Sequence, residues 1–196
     1  MNRFLNIMLI GILLPLVILA PGSGSGSGPA EDAAVAECRQ KIDALKSLKE
    51  KVVGRIHTAL AVRAELMVLG RKFADEISDS QRHYRYGSFE DAIRNPRVRH
   101  NLTLIEMISG YTGALDKKIE FFKEGLEQIG FVFRQAEDEL RMIQALGTLE
   151  TSDLMVRVER LLTAYQAEAE KELISPAAIS HRSCDGIWQD IVALTR

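Results

Sequence analysis

Histidine and cysteine are the first residues to weigh for chemistry, because metal ligation and nucleophilic catalysis concentrate on them. The chain of 196 residues holds four histidines and two cysteines. A carboxylate-bridged metal centre in a helical bundle needs Glu-x-x-His pairs pointing inward. The residues three before His57, His83, His100 and His181 are Gly54, Ser80, Arg97 and Ala178, so that pattern is absent. Glu120, Glu124 and Glu127 share helical spacing, but they fall opposite the apolar stripe of their segment and read as a solvated face. No Walker loop, HExxH or GxSxG occurs. No nucleophile, base and orienting group can be placed together. The chain reads as a non-enzyme with no metal and no cofactor.

Cys38 and Cys184 lie far apart and form no CxxC or zinc-type cluster. Cys38 sits on an apolar stripe near the start of the first predicted helix, and Cys184 opens the last. In an exported protein the two are expected to bond. Closing a loop of about 146 residues would stabilise the fold by at most roughly 5 kcal/mol. The competing reading is two buried free thiols acting as small hydrophobes.

A third cluster is basic and aromatic. Arg82, Arg85, Arg94, Arg97 and Arg99, with His83 and His100, interleave with Tyr84, Tyr86 and Phe89, opposed between Arg82 and His100 only by Glu90 and Asp91. Arg and Tyr are favoured at protein interfaces, and such a surface also suits an anionic envelope polymer or lipid headgroup. The candidate partner-binding residues are Arg82, Tyr84, Arg85, Tyr86, Arg94, Arg97 and Arg99. The competing reading is a solvated turn whose tyrosines pack on the helix ends. The formal charge of −2 carries no overall nucleic-acid signal, and no nucleic-acid partner is expected.

The elements that position these residues are helices. Between Val98 and Gly147 apolar residues recur at alternating steps of three and four, through Ile105, Ile108, Leu115, Ile119, Phe122 and on to Ile143. Such a 3.5-residue period, held over about seven heptads, keeps one seam toward a partner helix. Asn95-Pro96 supplies its start, as N-cap and first helical residue. A first helix from Glu31 to Tyr84 carries a looser stripe that includes Val35, Cys38, Leu45, Ile56, Leu60 and Phe73, with Gly87 as its expected stop. Two long helices joined by a short connection should lie antiparallel. Leu104, Tyr111, Val132, Met107, Ala114 and Met142 lie off the seam and widen its apolar face, so a third element should cover it. A third helix from Thr151 or Ser152 to Ser175 and a short fourth from Ser183 to Leu194 supply that cover. The fourth is expected to turn back beside the third toward the base. The predicted fold is all-α: a long antiparallel helical hairpin, as a coiled coil, with a third and a short fourth helix forming a bundle at its base. The basic cluster is its tip.

Residues 1–20 hold one charge, Arg3, before an apolar run from Phe4 to Ala20. That run of about 17 residues would span roughly 25 Å as a helix, at the short edge of a membrane span. It reads either as a cleaved signal peptide or as an uncleaved anchor with Arg3 on the cytoplasmic side. Residues 21–30, PGSGSGSGPA, form a flexible linker, and residues 31–196 the helical domain. In shape alone this resembles the membrane-tethered helical hairpins of bacterial envelopes. The expected role is an envelope scaffold or adaptor, periplasmic or otherwise extracytoplasmic, that binds a protein partner or a second copy through its seam or tip. The alternative is a periplasmic sensor-type bundle with a small molecule held between helices at the base.

Overall fold

The computed structural model describes residues 29–146, 152–179 and 184–195. The leader and most of the linker, residues 1–28, lie outside the described residues, as does the expected stop at Gly147. Among the described residues the fold is all-helical. Helix α1 runs from Pro29 to Tyr84, α2 from Phe89 to Arg94, α3 from Pro96 to Leu146, α4 from Ser152 to Glu170, α5 from Pro176 to Ile179 and α6 from Cys184 to Thr195. Among the described residues no helix is long and apolar enough to cross a membrane.

The two long helices pack antiparallel along their length. Glu76 meets Arg97 and Asn101. Further down, Gly70 faces Ile108, Arg63 pairs with Asp116, and Cys38 reaches the Ala136 carbonyl. At 1.5 Å per residue the pair is roughly 80 Å long.

Its core is strictly periodic. Every seventh residue of α1 from Cys38 is buried, namely Leu45, Val52, Ala59, Leu66 and Phe73. The matching series on α3 runs from Asn101 through Ile108, Leu115, Phe122, Ile129, Ala136 and Ile143. Seven-residue spacing on both helices keeps these side chains facing one another. Leu60, expected on the stripe, is 45% exposed, because the neighbouring Ala59 takes the inward position. The widened face of α3 is covered as expected at Leu104, Met107, Tyr111, Ala114 and Val132, all buried, whereas Met142 is exposed.

The covering layer departs from expectation. Helix α4 runs alongside α1 from the base upward, shown by the successive pairs Lys41–Glu159 and Lys51–Glu170. It does not continue to Ser175. After Glu170 the chain is extended, and the Ile174 backbone N–H donates to the buried Tyr111 hydroxyl at 2.8 Å. Ile174 and Ile179 are buried, which carries the chain further along the pair instead of back on itself. Helix α6 then packs on α3, with Trp188 and Ile191 against Gly110. Leu194, at its end, lines a small cavity with Lys171 and Ile174. So α4 and α6 fill the third position in tandem, end to end, and the terminal helix does not lie beside α4.

This placement overturns the disulfide. Trp188 and Ile191 touch α3 at Gly110, and Cys38 touches it at Ala136. About 39 Å of helix separates those levels, far beyond the Cα separation of about 4.4–6.8 Å that a disulfide tolerates. Cys38 is a free, fully buried thiol, its Sγ 3.7 Å from the Ala136 carbonyl oxygen.

Two close approaches hold the base together. The Tyr165 ring lies against Gly125, where an added Cβ would collide with it. Phe121 packs on the same ring, with centroids 4.8 Å apart. Beside them Lys118 of α3 pairs with Glu168 of α4. Lys171 reaches the same carboxylate at 2.5 Å, and the Lys118 ammonium lies 5.0 Å from the Phe121 ring centre.

Candidate functional site

The turn between α1 and α3 is built by backbone caps. Helix α1 ends at Tyr84 with Arg85 in the left-handed region at φ 44, its N–H donating to the Gln81 carbonyl at 3.1 Å. That bond closes the helix end in the manner usually given to glycine. The stop is therefore Arg85, two residues before the expected Gly87. Ser88 caps α2: its hydroxyl oxygen accepts from the Asp91 N–H at 3.2 Å, and its O–H donates to the Asp91 carboxylate at 2.9 Å. Asn95 joins the three segments. Its N–H donates to the Ala92 carbonyl, its side-chain oxygen accepts from the Arg97 N–H at 2.9 Å, and its side-chain amide donates to the Tyr86 hydroxyl. Ala92, 1% exposed, seals α2 against α3.

This frame brings all seven candidate residues to one end of the molecule and sorts them. Tyr86 is half-buried and structural, stacked on Tyr84 with centroids 5.7 Å apart. Tyr84 itself is 64% exposed, and Phe89 on α2 is 60% exposed. Arg82 and Arg94 are exposed and make one-turn pairs, to Asp79 at 3.9 Å and to Asp91 at 3.5 Å. Pairs of that kind are worth only about 0.3–0.5 kcal/mol, so both guanidiniums stay available to a partner. Arg85 and Arg99 are exposed, and among the described residues neither has a carboxylate within ion-pair distance. Arg97 is turned toward α1, 3.5 Å from Glu76.

Glu76 was not foreseen as part of this end. Asn101 is the buried polar residue of the core series, and its amide donates to Glu76 at 3.1 Å. A single buried Asn at such a position fixes helix register at some cost in stability. The signal lay in pairing the two seven-residue series across the turn, not in either helix alone.

Away from the tip, burial sets the titration of Cys38 and Glu139. It pushes the Cys38 thiol upward, helped by the Glu139 and Glu37 carboxylates, so the thiol stays protonated and unreactive. Burial likewise raises the Glu139 carboxyl. Glu120, Glu124 and Glu127 are exposed, as their spacing implied. Among the described residues no group of three His, Cys, Asp or Glu side chains comes together as a metal site. No protein-family model, curated protein or solved structure matches the chain.

Proposed function

We propose that this protein is a non-enzymatic scaffold or adaptor that binds a protein partner of acidic surface through its basic, aromatic tip. In this reading α1 and α3 form a coiled-coil hairpin that holds the tip roughly 80 Å from the base. The apolar run from Phe4 to Ala20 attaches or exports the chain, and the domain works on the extracytoplasmic side of a bacterial-type envelope. The observation that carries the reading is the exposure of Tyr84 and Phe89 among arginines on a turn whose helix ends are capped. Aromatic side chains on a fixed backbone lose little entropy on binding, and aromatic and Arg residues are the usual anchors of an interface.

The test replaces Phe89 with a photo-crosslinking residue in cells. A discrete adduct is expected, and it should vanish when Arg94→Glu and Arg99→Glu are added. An adduct pattern indifferent to the two charge reversals would overturn the tip as the site. A second reading, self-association, draws on Leu60 and Met67, one heptad apart on α1 and 45% and 44% exposed. Sedimentation at rising concentration, with and without Leu60→Lys, separates the two.

A further inference from the structure

A groove at the base combines an apolar floor with two arginines. It lies between α3 and α4, with a volume of about 440 Å³, within the range typical of small-molecule sites. Val132 and Leu161, 6% and 7% exposed, form its floor. Phe131 stands at its lip and is 53% exposed. A large ring left open beside a buried apolar floor gains by being covered.

The other wall is cationic. Arg157 and Arg160 stand three residues apart on α4 and line the groove together. Arg157 is steadied by Gln135, to which its guanidinium donates at 3.3 Å. Among the described residues neither arginine is in an ion pair, although Glu127 lines the α3 side of the same groove. The lining thus offers two guanidiniums against one carboxylate, beside an apolar channel. Guanidinium pairs bind carboxylates in planar, bidentate fashion.

We propose that this groove binds a monoanionic amphiphile, with its carboxylate on Arg157 and Arg160 and its alkyl body along Phe131, Val132 and Leu161. The site is independent of the tip and does not require the scaffold reading. A neutral alkyl ligand would leave one cation of the groove without a counter-charge, and a small anion would leave the ring uncovered, so both features select for the amphiphile.

The experiment uses the full chain and decanoate carrying a diazirine, with the adducts located by peptide mass mapping. Labelling is expected on the segments around Phe131 and Leu161. Unmodified decanoate should displace it at least about tenfold more effectively than decanol, as loss of a charged hydrogen bond implies. Arg157→Gln with Arg160→Gln should reduce it by a similar factor while the melting temperature stays unchanged, and Phe131→Ala should reduce it as well. Labelling confined to residues 1–28, equal displacement by decanol, or labelling unchanged in the arginine variants would overturn the proposal. So would displacement only by an acidic peptide, which would make the groove a protein-docking site.

Discussion

Arg85 carries a left-handed backbone that its Cβ resists. Replacing it with glycine removes that strain, of order 1 kcal/mol. Arg85→Gly should therefore raise the melting temperature by about 2–4 °C for a chain of this size. Calorimetry reads it directly, and an unchanged or lower value would mean that the guanidinium itself holds the turn. Gly125 and Gly113 make an internal control. Alanine at Gly113 meets nothing within 4 Å and should stabilise by about 1 kcal/mol through helix propensity. Alanine at Gly125 collides with the Tyr165 ring, and overpacking of about 1–3 kcal/mol should reverse the sign.

Glu168 gives the pH dependence. Burial alone would raise its carboxyl, but hydrogen bonds and charge from Lys118 and Lys171 outweigh that and hold it below its ordinary 4.5. A depressed carboxylate contributes stability that is fully present above its unfolded pKa and is lost as pH falls through its folded pKa. The gap in melting temperature between wild type and Glu168→Gln should be widest near pH 6 and should narrow below about pH 4. A gap constant from pH 6 to 3 would remove the triad from the stability of the base.

At the scale of elements, periodicity was legible where each helix buries one stripe along its whole length. The Asn95-Pro96 start of α3 follows from local capping chemistry. The tandem of α4 and α6 was not legible. Its direction is set by Ile174 reaching the Tyr111 hydroxyl, a contact between residues 63 apart in the chain. The disulfide failed for the same reason, since two cysteines on apolar stripes say nothing of the level at which those stripes dock. The tip residues were legible as a cluster, but not their division into the structural Tyr86, the inward Arg97 and the exposed remainder. Because α6 packs chiefly on α3, it should detach alone. Ile187, fully buried, is its anchor. Ile187→Asp should expose the α6 backbone to protease and lower helicity by about one short helix, leaving the base melting as one unit. Loss of all helicity would show that α6 belongs to the cooperative core.

Among the described residues the molecule is an antiparallel pair of long helices with a third layer over its lower part and a capped turn at the far end. The thickness changes a little beyond Gly70 and Ile108, where α6, the upper member of that layer, ends among the described residues. Mechanically this is a cantilever with a thick root and a slender end. Resistance to bending rises steeply with the number of packed helices, so a sideways load on Tyr84 or Phe89 is absorbed above that step and not at the base. The length, set by the rise of two continuous helices, is unaffected by such bending. Any sideways displacement of the tip is therefore taken up in the two-helix segment above that step, which is roughly 21 Å long.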